Sequence, residues 1–225
     1  MSKNFFESKT YVNKEFKGLI PSYYPKKYKQ YINEETNLLV SKLKKANRIL
    51  EAGVGVGRLI PKFAPLVNEF VGVDNSNFMI TKSQEVAKDF SNVKIIKEDI
   101  KNLSNIFSNH YFDYSLCIWN TLGNVNNPIT ILKELSKITA KNIFITVFFK
   151  ETIKDRLEFY KAVDVNVIKI NKSDETFFLD GYVSKTFNVQ DIENLAKKSG
   201  LIVKETKILG EVILFAELTK IKLSS

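Results

Sequence analysis

The residues best suited to chemistry gather first in Arg48-Ile49-Leu50-Glu51-Ala52-Gly53-Val54-Gly55-Val56-Gly57-Arg58-Leu59. An apolar run ends in an acid, three glycines follow at alternate positions, and Pro61 stands in the first turn of an expected helix. Glycines there permit positive φ and let a ligand approach the main chain closely, while the following helix N-terminus favours an anionic group. The spacing discriminates between ligands. A dinucleotide fingerprint requires a small residue at position 58. Arg58 stands there, so the pattern is E-x-G-x-G-x-G. Three more polar positions follow apolar runs: Asp74 after Phe70–Val73, Asp99 after Val93–Lys97, and Asn120 after Tyr114–Trp119. In an open α/β sheet, ligands bind at such carboxyl ends of strands. Taken singly, Asp74 and Asp99 also read as helix caps and Asn120 as a turn residue; four in order on successive runs point to one ligand site.

These motifs resemble class I S-adenosylmethionine-dependent methyltransferases over about residues 46–218, and the segment Trp119-Asn120-Thr121-Leu122-Gly123-Asn124 resembles small-molecule enzymes of the glycine N-methyltransferase type. The resemblance implies S-adenosyl-L-methionine as cofactor. Asp74, 17 residues after Gly57, would accept hydrogen bonds from both ribose hydroxyls, a task suited to an acceptor-only group. Asp99 would lie near the adenine amine. The implied cofactor set is Glu51, Gly53, Gly55, Gly57, Arg58, Asp74, Asn75, Asp99, Ile100, Trp119 and Asn120. In small-molecule relatives an amino-terminal lid often brings a tyrosine, which makes Tyr11, Tyr24 and Tyr28 candidates. Tyr28 is preferred because the adjoining helix would anchor it, and with Asn120 it is a candidate for positioning the acceptor. Tyr182, in an insertion at Phe177–Phe187, would stand near the cleft on the opposite wall.

The elements that must position these residues follow from the apolar pattern. Ile49-Leu50, Phe70–Val73, Val93–Ile96, Tyr114–Trp119 and Ile143–Phe149 lack polar alternation and are spaced by helical stretches near 58–67, 76–90 and 128–139. Such runs are parallel strands buried on both faces. Leu201–Leu209 and Glu211–Leu218 meet at Gly210, a join too tight for parallel neighbours. The expected fold is therefore α/β, a doubly wound, mostly parallel seven-stranded sheet with a terminal antiparallel hairpin. Asn33–Lys45 reads as an amphipathic helix capped by Asn33, Glu151–Val163 as a helix, and Val167–Ile170 and Thr176–Thr186 as strands. Asn188 with Asp191 reads as a helix start, and Gly200 as its end. The expected division is a helical, basic lid over residues 1–45 and a cofactor-binding domain over 46–225, with a substrate-side insertion at about 164–187.

Charge and composition narrow the function. The 225 residues carry a formal net charge of +9, of which residues 1–48 hold 11 Lys+Arg against 4 Asp+Glu. A basic, tyrosine-bearing arm suits nucleic acid. Against that, the chain has 31 Lys and 3 Arg, and Arg is the better reader of phosphates and guanines. Asn120-Thr121-Leu122-Gly123 also departs from the Asn/Asp-Pro-Pro-aromatic motif of DNA amino-methyltransferases. One Cys and one His exclude an internal disulfide and make a poor metal site. Cys117 reads as a buried structural thiol, and His110 lies before the fourth strand, away from the expected site. With no long apolar stretch, neither signal peptide nor membrane span is expected, and the expected location is cytoplasmic. The leading reading is transfer of a methyl group to nitrogen or oxygen of a small acceptor, an amine favoured. The alternatives are a tRNA or rRNA methyltransferase using the basic arm, and a non-catalytic cofactor-binding module.

Overall fold

The computed structural model describes residues 17–43 and 46–221. The apolar runs form parallel strands β1 (Arg48–Ala52), β2 (Glu69–Asp74), β3 (Val93–Lys97), β4 (Phe112–Cys117) and β5 (Thr139–Phe148). A separate antiparallel sheet holds β6 (Val167–Asn171), β7 (Thr176–Leu179) and β8 (Tyr182–Ser184). Antiparallel β9 (Leu201–Leu209) and β10 (Ile213–Lys220) complete the main sheet, in the order β3-β2-β1-β4-β5-β10-β9. Strand side chains alternate between faces, so the sheet feeds two apolar layers. Ile49, Phe70, Leu116 and Phe144 enter one, and Leu50, Val71, Cys117 and Ile145 the other.

The helices are α1 (Lys26–Lys42), α2 (Ile60–Phe63), α3 (Asn77–Ala87), α4 (Pro128–Ile138), α5 (Ile153–Ala162) and α6 (Val189–Lys198). Asn188 and Asp191 form a reciprocal capping box at α6, and Gly200 follows its end at φ 73°. Three expectations change. Asn33 does not cap α1 but lies within it: the buried stripe Tyr28, Tyr31, Glu35, Leu39 extends the packed face almost to Pro25. The helix expected near 58–67 is a single α turn followed by a 3-10 turn at Ala64–Leu66, because Pro65 supplies no N–H to continue it. Thr176–Thr186 is not one strand but a hairpin, β7 and β8, turning through Asp180-Gly181. Tyr11, a lid candidate, lies outside the described residues, and no described helix is long and apolar enough to cross a membrane.

Helix α1 lies across the first apolar layer and is tied to the carboxyl-terminal hairpin. Gly210 N donates to Glu34 at 2.7 Å, Lys42 pairs with Glu205 and Glu217, and Lys27 pairs with Asp155 at 2.9 Å and Glu211 at 3.0 Å. Gly210, at φ 54°, is required by close approach, since a Cβ there would sit 2.2 Å from the Lys27 carbonyl oxygen and 2.8 Å from Tyr31 N. Both neighbours are backbone and cannot swing away. Gly210→Ala is therefore expected to cost roughly 3 kcal/mol through overpacking and left-handed strain. Urea denaturation checks this, and a loss below about 1 kcal/mol would mean that α1 is not seated as described.

Candidate functional site

The glycine loop leaves β1 under restraint from β2, with Gly53 N and Val54 N both donating to the Val73 carbonyl at 2.8 and 2.9 Å. Gly53, Gly55 and Gly57 take φ values of 81°, 53° and 81°. At Gly55 a Cβ would meet nothing within 4 Å, so main chain here borders open space. Its N–H donates to Asp74 Oδ2 at 3.0 Å, and Ser76 N donates to Oδ1 at 3.0 Å. Asp74 is thereby fixed beside the loop, each oxygen keeping acceptor capacity. Burial pushes its carboxyl above the ordinary range, and those backbone N–H groups pull it back.

Glu51 ends this strand in an unusual state. It is 3% exposed, and its Oε2 has no partner among the described residues. Burial pushes its pKa up to about 8; Arg58 opposes the rise, and the charges of Glu35 and Asp74 add to it. A cation with several N–H donors would satisfy this carboxylate. An unpaired acid, a bare glycine main chain and an anchored Asp74 side by side fit the α-ammonium and ribose of S-adenosyl-L-methionine.

Arg58, at the end of the glycine loop, pairs with Glu35 of α1. The reason is electrostatic, because Glu35 is fully buried and needs a cation. Glu35 also accepts from Tyr31 Oη and, at 3.0 Å, from Thr146 Oγ1 of β5. Thr146 in turn holds the segment after β4: its Oγ1 accepts from Trp119 N at 2.8 Å and its carbonyl from Asn120 N at 2.9 Å. Trp119 and Asn120 both have positive φ, 53° and 59°, a strained pair that these bonds hold in place.

Trp119 stacks with Tyr24 and Tyr31, ring centroids 5.3 and 5.2 Å apart at interplanar angles of 10° and 12°. The Asn120 side chain is engaged by protein: Oδ1 accepts from Phe148 N at 3.0 Å, and Nδ2 donates to Ser184 Oγ at 2.9 Å and Asn124 Oδ1 at 3.2 Å. It ties β4, β5 and β8 together, which makes it a positioning residue. Tyr28 is fully buried against Phe159 and Phe148, its hydroxyl without a partner among the described residues. Asp99 caps the 3-10 turn Ile100–Asn105 and pairs with Lys101, while Ile100 sits in the second apolar layer. Asn75 follows Asp74 directly, and its N–H donates to that carboxylate. Tyr182 joins a small apolar cluster with Leu19, Val56, Phe78 and Met79, which brings β8 to the glycine loop.

His110 is exposed ahead of β4, and burial pushes the Cys117 thiol up to about 12, so it carries no nucleophile at neutral pH. No sequence motif marks Glu35, Thr146 or Arg156. The one available signal was the stripe Tyr28, Tyr31, Glu35, Leu39, which places an acid on a buried helical face.

A family model described as a methyltransferase domain matches residues 43–200. A solved structure of a Pyrococcus horikoshii OT3 protein is similar at 23% identity over 92% of this chain and 99% of that one, with a TM-score of 0.71. The CcbJ methyltransferase of Streptomyces caelestis is similar at 15% identity over 92% and 97%, TM-score 0.67. The 1,6-didemethyltoxoflavin-N1-methyltransferase of Burkholderia thailandensis, solved with 1,6-didemethyltoxoflavin and S-adenosylhomocysteine, is similar at 13% identity over 85% and 79%, TM-score 0.65. No curated protein sequence matches significantly.

Two outcomes follow from the site's charges. Folded Glu51, at about 8, keeps its proton where an unfolded carboxyl near 4.5 has lost it, so this group costs stability as pH rises between those values. The cofactor-free protein is expected to lose on the order of 3 kcal/mol from pH 5 to 8, and Glu51→Gln to remove most of that loss. Urea denaturation at both pH values decides it, equal losses in the two proteins being the contrary result. Arg58→Met strands the Glu35 charge and is expected to cost about 3–5 kcal/mol, most of it recovered in Arg58→Met/Glu35→Gln. Additive losses in that cycle would deny the pair.

Proposed function

The chain belongs to the class I methyltransferase family, and from that premise we propose that it transfers the methyl group of S-adenosyl-L-methionine to a nitrogen or oxygen, an amine nitrogen foremost, of a small-molecule acceptor. The observation that carries the acceptor class is the aromatic wall at the end of β4. Trp119 is partly buried, stacked by Tyr24 and Tyr31 and met edge-on by Phe159 at 5.8 Å. Such a wall suits an acceptor of metabolite size, and its ring faces suit a cationic or neutral amine. Among the described residues of the basic arm, Lys17, Lys27 and Lys42 pair with acids of the same chain, which draws those three charges away from an RNA contact.

Bound S-adenosyl-L-methionine supplies a methyl group on a sulfonium sulfur, open to in-line attack by a lone pair. The chain's part is to hold and align. Glu51 would take the α-ammonium, the Gly53–Gly57 main chain would lie against the cofactor, Asp74 would accept from the ribose hydroxyls, and Asp99 would stand by the adenine amine. Rings from the segment preceding β1 exclude water from the acceptor side, where alignment and desolvation lower the barrier. An amine that binds unprotonated needs no side chain as base.

The test has two arms. S-adenosylhomocysteine about 100-fold above its dissociation constant is expected to add roughly 2.7 kcal/mol, a melting rise on the order of 5–10 °C, reduced in Asp74→Ala. Labelled methyl incubated with a cell extract is then expected in the low-molecular-weight fraction. Label confined to macromolecules would overturn the small-acceptor reading, and no melting rise the cofactor assignment.

A further inference from the structure

Of the three arginines, Arg48 and Arg58 pair with Glu69 and Glu35, whereas Arg156 on α5 pairs with no acid among the described residues. Yet Arg156 is fully buried. Its Nη2 donates to Tyr160 Oη at 2.9 Å and to Ser184 O and Oγ at 3.1 and 2.6 Å. Nε and Nη1, with three of the five N–H donors, have no acceptor among the described residues. The Cζ lies 4.0 Å from the Phe148 ring centre and 4.3 Å from that of Phe177. Rings and neutral oxygens do not neutralise the charge, and a buried cation without a counter-charge is costly.

Its position belongs to the acceptor side. Ser184 Oγ, which receives Arg156, also receives Asn120, the residue following Trp119. Tyr28, with its own unpartnered hydroxyl, packs on the same Phe148 ring at 6.1 Å. The positive charge of Arg156 reaches that hydroxyl, opposing the rise that burial imposes on it. A cation and a phenol with unused donors thus share one aromatic enclosure. Tyr28 lies in the first turn of α1, which is tied to α5 by the partly exposed Lys27–Asp155 pair, a contact of small energy.

We propose that Arg156 anchors a carboxylate of the methyl acceptor, so that the substrate class is a small organic acid carrying the nucleophilic nitrogen or oxygen. The proposal rests on the methyl-transfer reading above. A carboxylate is planar, carries one negative charge against this one cation, and approaches along the N–H edges that the flanking rings leave. A phosphate ester would bring a second charge with no second cation beside Arg156.

The experiment is calorimetric titration of matched acid and amide probes into the full-length protein saturated with S-adenosylhomocysteine. The probes are 4-aminobenzoate and 4-aminobenzamide, 4-hydroxybenzoate and its amide, and 3-hydroxypropanoate and its amide. The expected result is binding by acids, amides at least tenfold weaker, and loss of acid binding in Arg156→Met with its S-adenosylhomocysteine melting rise intact. If Arg156→Met does not fold, Arg156→Gln makes the same comparison. Amides equal to acids, full acid binding by the variant, or no acid bound by wild type that still responds to S-adenosylhomocysteine would each overturn the proposal. A wild type with no response to S-adenosylhomocysteine would overturn the underlying methyl-transfer reading instead.

Discussion

A single buried carboxylate organises this molecule. Glu35, fully enclosed on α1, accepts from Arg58 of the glycine loop, Tyr31 of its own helix and Thr146 of β5. Thr146 continues the chain of bonds to Trp119 and Asn120. A buried charge tolerates few arrangements, because each missing partner exposes several kcal/mol of desolvation cost, a large part of a domain's net stability of about 5–15 kcal/mol. The helix, the loop, the central strand and the strained turn after β4 are therefore fixed relative to one another through one group.

That constraint explains why rings of the amino-terminal segment pack against the end of β4. With Glu35 anchored, Tyr31 and Tyr24 fall on Trp119, and Tyr28 on Phe148 and Phe159. The hairpin turn at Gly210 and the ion pairs of Lys27 and Lys42 seat the outer face of the same helix. Among the described residues of this segment, Lys27 and Lys42 spend their charge holding α1 down. Two unlike faces result: one of bare glycine main chain with Glu51 and Asp74, and an aromatic one with a buried guanidinium.

Local patterns made much of this legible in the sequence. Unbroken apolar runs reveal the parallel strands, Gly210 the antiparallel close, and Asn188 with Asp191 the last helix start, since each depends on residues adjacent in the chain. The grouping of Glu51, the glycines and Asp74 is equally local, because β1 and β2 are neighbours joined by a short helix. Features that depend on distant partners are hidden. The partner of Arg58 lies 23 residues upstream on a helix whose buried face includes an acid, and a search for apolar periodicity counts Glu35 as solvent-facing. Hence the helix reads as starting at Asn33. Arg156 is obscured in the same way: a charge on a helix reads as exposed until Phe148 and Phe177 are seen to enclose it. The protein partners of Asn120 are hidden for a comparable reason, its carboxamide meeting β5 and β8.

The central claim, that cofactor loop and α1 form one unit through Glu35, is most directly tested by hydrogen exchange of the full-length protein with and without S-adenosylhomocysteine. If the claim holds, amides of α1 around Tyr31–Leu39 gain protection together with residues 53–58, and Glu35→Gln uncouples the two responses. Protection confined to the glycine loop, with α1 unchanged in the wild type, would contradict it.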